Sequence, residues 1–291
     1  MAPCLKSLWD RLHLSSKSQV RIQILSDLHL ELNQQYWTYS IPVSAPFLIL
    51  GGDIGRLIDY DGYVNFVLAQ VSRYQKVFLV LGNHEFYGLS YDSGIEEARR
   101  LAQEPRLAGK LVLLNRTRWD NPDSDLTLLG CTLWSEIPDR DCDIVKSRIS
   151  DFRMIREWNT QKHNEIHLVE VAWLRNQVAQ AASHHHDEPP RRILVVTHHA
   201  PCVKGTSRPK DAHKPWSCAF ATDLVNRGGW DNVKTWVFGH THCSTRFMRG
   251  GIEIVANQRG YALLEGQEKE QQLERDAGKD HKFDPAMIIA V

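Results

Sequence analysis

Val77-Phe78-Leu79-Val80-Leu81-Gly82-Asn83-His84-Glu85 is the stretch on which the reading of this chain turns. Five consecutive apolar residues fit a strand covered on both faces, since a buried parallel strand has no polar side to show. The Asn-His pair that follows has no obvious packing use after so apolar a run. Open α/β sheets bind their ligands beyond the carboxyl ends of their strands, so polar groups placed there mark a candidate site.

Four more stretches share this pattern. Ile22-Gln23-Ile24-Leu25 leads into Ser26-Asp27-Leu28-His29, and Phe47-Leu48-Ile49-Leu50 into Gly51-Gly52-Asp53. Ile193-Leu194-Val195-Val196 leads into Thr197-His198-His199, and Trp236-Val237-Phe238 into Gly239-His240-Thr241-His242. Singly each is modest: Gly-Gly-Asp is usually a turn, and a lone His198 serves a core as readily as a metal. Five together point to one shared site. Asp27 and His29, two apart on an extended chain, face the same side. Asp53 adds a carboxylate able to bridge two ions, Asn83 an amide oxygen, and His198, His240 and His242 imidazoles. That mixed oxygen and nitrogen set suits two first-row metal ions and not calcium. Two such ions, two carboxylates and a hydroxide leave a local charge near +1, which attracts phosphate.

Working outward, Tyr63, Phe66, Val67, Gln70 and Val71 predict a helix before the Val77 strand. A second helix is expected over Ile95 to Gln103, then a short strand from Leu111 to Leu114. The turn formers of 120–125 precede a strand from Leu126 to Trp134, which predicts a hairpin. The best helix runs from Thr160 to Ser183, with Ile166, Val169, Trp173, Leu174, Val178 and Ala181 on one apolar face. His184, His185 and His186 fall in the loop that Pro189 and Pro190 enforce, where three adjacent histidines read as solvated. Strands are expected over 235–238, 245–248, 252–256, 261–264 and 286–290, with 265–281 as a charged surface loop. The whole predicts an N-terminal extension (1–19) and a single domain (20–291), with two sheets face to face and helices outside.

The 35 basic and 35 acidic residues balance, so no basic excess favours polymeric nucleic acid. No apolar stretch reaches the roughly 20 residues of a bilayer span, and no membrane partner is expected. The six cysteines form no C-x-x-C pair and no regular spacing, which fits a reducing, cytoplasmic compartment.

Asp27-x-His29, Gly52-Asp53, Gly82-Asn83-His84-Glu85, His198 and Gly239-His240-x-His242 resemble the five signature blocks of the calcineurin-like metallophosphoesterases, over residues 21 to about 265. The resemblance implies a four-layer αββα sandwich of two mixed β-sheets flanked by helices. It implies one metal held by Asp27, His29, Asp53 and His242, and a second held by Asp53, Asn83, His198 and His240. The ions would be Mn, Fe, Zn, Co or Ni according to supply. His84 would contact the substrate phosphate and protonate the leaving oxygen, while a metal-bridging hydroxide attacks phosphorus in line.

The expected substrate is a small phosphate ester. A phosphodiester, cyclic nucleotides included, leads over a phosphomonoester, and a non-catalytic binding module on the same fold is the rival of another class. The Asp-Arg-Gly continuation of phosphoprotein phosphatases is missing, since Ile54-Gly55-Arg56 follows Asp53. Among secondary candidates, Glu85 is either an orienter or a helix-start acid. Tyr87, Trp134 and Trp216 are either a ring-binding wall or core. Arg56 and the basic loop 204–214 are candidates to touch a phosphate.

Overall fold

The computed structural model describes residues 19–182, 190–261 and 282–291. Residues 1–18 of the N-terminal extension, the triple histidine and the whole charged loop 265–281 lie outside the described residues.

Two mixed sheets form the frame. The first is built from β1 (Arg21–Leu25), β2 (Phe47–Gly51), β3 (Lys76–Val80) and β4 (Leu111–Leu113), all parallel, with antiparallel β11 (Ile288–Ala290) beside β1. The second carries β5 (Thr117–Asp120), β6 (Leu126–Cys131), β7 (Arg192–Thr197), β8 (Val233–Val237), β10 (Ile252–Ala256) and β9 (Thr245–Arg249), in that spatial order. β6, β7, β8 and β10 are parallel, and the two edge strands are antiparallel. The hairpin expected around 120–125 is the β5–β6 pair.

The period-two alternation of the strands decides the layering. Ile22, Ile24, Ile49, Phe78 and Val80 of the first sheet pack against Leu126, Leu128, Leu194, Val196, Val237 and Val255 of the second. Leu48, Leu50, Val77 and Leu79 point the other way, onto helices α1 (Tyr60–Val71) and α2 (Tyr91–Ala102). On the far face of the second sheet, Leu129, Ile193, Val195, Trp236 and Ile254 meet the long helix Thr160–Ala182 through Leu174, Val178 and Ala181. The result is the expected α/β/β/α stack.

Three local expectations need correction. Val169 is 50 % exposed, and the buried stripe of the long helix is instead Thr160, His163, His167, Glu170, Leu174, Val178 and Ala181. The first half of that helix rests on a polar bend: His167 Nδ1 donates to the Leu133 carbonyl at 2.9 Å, and the Ser135 amide donates to His163 Nε2 at 3.2 Å. Burial follows the partner surface rather than apolar count. The strand expected to Trp134 ends at Cys131, because Leu133 and Trp134 turn at φ 74° and 43°. Of the strand expected over 261–264, residues 262–264 lie outside the described residues; Tyr261 itself has no regular structure and reaches the ligand cluster.

Candidate metal centre

The carboxyl ends of β1, β2 and β3 in one sheet and β7 and β8 in the other meet at one edge of the stack. All seven predicted ligands arrive there, and the chain bends sharply to deliver them. Asp27, His29, Asp53, His240 and His242 all have φ between 48° and 72°. Left-handed backbone at a non-glycine residue costs about 1–3 kcal/mol and persists only where the surroundings over-determine it. Gly52, at φ +90°, takes the same kind of turn where a Cβ would collide with the His198 ring.

The donor atoms form two groups. Asp27, His29 and His242 make one, and Asp53, His198 and His240 the other, with atoms inside each within 4.8 Å of one another. A third grouping joins His29, Asp53 and His84. His29 Nε2 and His242 Nε2 lie 2.9 Å apart, and Asp27 Oδ1 is 3.6 Å from His242 Nε2. Asp53 reaches both groups: Oδ2 is 3.9 Å from His29 Nε2 and Oδ1 is 3.4 Å from His198 Nε2. Asn83 Oδ1 stands 3.2 Å from His198 Nε2.

These contacts fit a bound cation. His198 Nδ1 donates to the Gly51 carbonyl at 2.9 Å. That bond fixes the tautomer and turns the Nε2 lone pair toward two oxygens. The buried atoms Asp27 Oδ2 and His240 Nε2 have no hydrogen-bond partner. Lone pairs aimed at one another in a buried place need a positive charge between them. Burial opposes charge on His198, yet Asp53 holds its pKa up at about 10. Burial pushes the Asp27 carboxyl up to about 6. Burial and the neighbouring His29 push His242 down to about 3.

His84 sits beside this cluster and is positioned by a residue that sequence reading missed. Its Nδ1 donates to Glu31 Oε1 at 2.8 Å, and the same oxygen is 3.4 Å from His29 Nδ1. Burial opposes charge on His84, but Asp53 and Glu31 raise its pKa to about 9. Its Nε2 is 3.3 Å from the Tyr261 hydroxyl, and its ring stacks on Tyr87 at 4.2 Å. The signal for Glu31 was the carboxylate two residues past His29, extending the alternation of Asp27 and His29. Asp151 was also missed. It accepts from Asn83 Nδ2 at 2.8 Å and the Tyr87 hydroxyl at 2.7 Å, which turns the Asn83 oxygen toward His198.

The secondary candidates separate cleanly. Glu85 is a buried anchor: it accepts the amides of Asp53, Ile54 and Gly82 and the Tyr63 hydroxyl at 2.7–3.0 Å. Both loops that carry Asp53 and Asn83 are thereby fixed to one side chain. Trp134 is core. Tyr87 and Trp216 line a cavity of about 350 Å³ that opens from the cluster, together with Arg208 and Lys214 of the basic loop. Arg56 does not line it and pairs with Asp59 at 2.9 Å.

The sequence model of the calcineurin-like phosphoesterases matches residues 20–244, and the chain belongs to that family. An uncharacterized protein of Acanthamoeba polyphaga mimivirus, L509, is 26% identical over 266 residues, covering 83% of this chain and 91% of the relative. Among solved structures, a phosphopantetheinyl hydrolase from Mycobacterium tuberculosis superposes with a TM-score of 0.61 at 17% identity, over 94% of this chain and 96% of its own. A dimetal phosphatase from Danio rerio has a TM-score of 0.46 at 13% identity, over 81% and 86%. No helix of the described residues is long and apolar enough to cross a membrane.

Proposed function

We propose that this chain is a metal-dependent hydrolase of small phosphodiesters, working with two divalent transition ions. The observation that carries the reading is the meeting of seven donor residues from both sheets in one cluster, of which Asp53, Asn83, His240 and His242 line the cavity together with His84. Asp27, His29, Asp53 and His242 would hold one ion and Asp53, Asn83, His198 and His240 the other, Asp53 being shared. Ions held there supply Lewis-acid polarisation of a phosphoryl oxygen and an acidified water.

The chain's own residues supply the rest. Glu31 fixes the His84 ring through Nδ1, so that Nε2 is the atom offered to the substrate. From there His84 can give a proton to the departing oxygen. Asp151 keeps the Asn83 oxygen inward, and Glu85 holds both loops through backbone amides. The cavity is larger than one phosphoryl group needs, so it has room for the organic part of an ester as well. Cys131, Cys142, Cys202 and Cys218 are free thiols, which supports a reducing, cytoplasmic setting. Residues 20–291 are proposed to act as one domain.

A substrate panel tests this. Bis(4-nitrophenyl) phosphate, 4-nitrophenyl phosphate and a cyclic nucleotide are each offered with Mn²⁺, Fe²⁺, Zn²⁺, Co²⁺ or Ni²⁺. The expected result is metal-dependent turnover, fastest on a diester. Faster turnover of the monoester would reverse the preference. No turnover with any metal, together with no bound metal, would make the chain a binding module.

A further inference from the structure

The cavity has two chemically different ends. One is the ligand cluster. The other, contributed by the loop after His198 and the segment around residue 148, holds Arg148, Arg208, Asp211, Lys214 and Trp216. Three cations there stand with Asp211, while the other carboxylates of the lining, Asp53 and Asp151, lie at the cluster, where Asp151 is bonded to Asn83; the chain as a whole carries no net charge.

The cations are held in different ways. Lys214 Nζ pairs with Asp211 Oδ1 at 2.5 Å, and Arg208 donates to the His242 carbonyl at 3.2 Å. Arg148 is held by neither a carboxylate nor a carbonyl among the described residues. Its guanidinium carbon lies 5.3 Å from the centre of the Trp216 ring, and Lys214 Nζ lies 5.7 Å from the same centre. A ring face attracts a cation without occupying its N–H donors. A guanidinium resting on indole therefore keeps its donor edge for an oxyanion, in the forked geometry that suits carboxylate and phosphate. Arg208 ties this end to the cluster, since its partner is the backbone of a candidate ligand residue.

We infer that this far end is a subsite for a second anionic group, so that the preferred substrate is an ester with a phosphate or carboxylate remote from the scissile phosphorus. The inference rests on the phosphoesterase reading above and narrows it to a substrate class. A charge-assisted contact of this kind is worth about tenfold in affinity or more. Arg148 is exposed, so the advantage should also shrink with added salt.

The test uses matched esters and the metal-loaded protein. Thymidine 5′-(4-nitrophenyl phosphate) is compared with its 3′-phosphorylated and 3′-hemisuccinyl forms, which differ only in the remote group. The expected result is a kcat/KM ratio of about tenfold in favour of an anionic form, falling to about one in Arg148→Ala and partly restored in Arg148→Lys. The better of the two anionic forms tells phosphate from carboxylate. A ratio near one in the native protein, or one that survives Arg148→Ala, overturns the inference while leaving phosphoesterase activity intact. Should no ester be cleaved, calorimetric binding of thymidine 3′,5′-bisphosphate against thymidine 5′-monophosphate decides instead. Tighter bisphosphate binding that Arg148→Ala abolishes supports the subsite; equal binding of the two overturns it.

Discussion

Glu31 and His84 are joined by a 2.8 Å hydrogen bond across 53 residues of sequence. The bond gives His84 one orientation and leaves Nε2, beside the Tyr261 hydroxyl, on the cavity side. A proton donor matters most where the leaving oxygen is basic. Glu31→Gln is therefore expected to slow esters of simple alcohols about a hundredfold and 4-nitrophenyl esters less than about fivefold. Metal content should not change. Equal losses on both leaving groups would show that Glu31 merely supports the fold.

His84→Ala should keep the metal and lose about 10²–10⁴ in kcat. The grouping of His84 with His29 and Asp53 makes elemental analysis the decisive companion measurement. Metal lost along with turnover would place His84 among the ligands.

Asp53 touches both donor groups through different oxygens. Asp53→Ala is expected to take the protein from about two ions per chain to less than about half an ion. Retention of a single ion would mean that the two groups bind independently.

The buried face of the long helix sets a pH dependence away from the ligands. Burial raises the Glu170 carboxyl to about 8, with Arg116 and the backbone at Leu133 and Thr132 opposing it only in part. Between its unfolded value near 4.5 and about 8, the native state holds the extra proton, so stability falls as pH rises through that window and then levels. Glu170→Gln should remove this slope and gain about 1–3 kcal/mol at pH 8, with little gain at pH 4. His163 acts oppositely: burial lowers it to about 3, so it costs stability as pH falls below about 6.5. Parallel denaturation curves for Glu170→Gln and native protein across pH 4–8 would contradict the assignment.

Two glycines separate backbone strain from collision. Gly109 has φ +65° and no atom within 4 Å of where an added methyl would stand, whereas Gly52 has φ +90° and the His198 ring in the way. Gly109→Ala should cost about 1 kcal/mol, and Gly52→Ala about 2–4 kcal/mol. Gly52→Ala should also weaken metal binding, which Gly109→Ala should leave alone.

Much of this was legible because the informative residues stand directly after apolar runs. Once 22–25, 47–50, 77–81, 193–196 and 236–238 read as strands, Asp27, Asp53, Asn83, His198 and His240 had nowhere to go but one edge. Glu31 was legible only as a carboxylate two residues past His29, and Asp151 and Tyr261 not at all, since their approach to Asn83 and His84 depends on loop paths that no periodicity encodes. Arg56 misled because its partner Asp59, one turn away, neutralises it locally. Val169 misled because apolar spacing says nothing of the surface opposite, and here that surface is the polar bend at 133–135.

Asp27, His29, Asp53 and Asn83 belong to one sheet, and His198, His240 and His242 to the other. Whatever occupies the centre is thus a rivet through the seam between the two halves of the stack. A species in which the halves have parted retains only fragments of each donor set, so binding energy becomes energy of assembly. The melting temperature should climb with free metal concentration, and a chelator should open the seam before it disturbs either sheet.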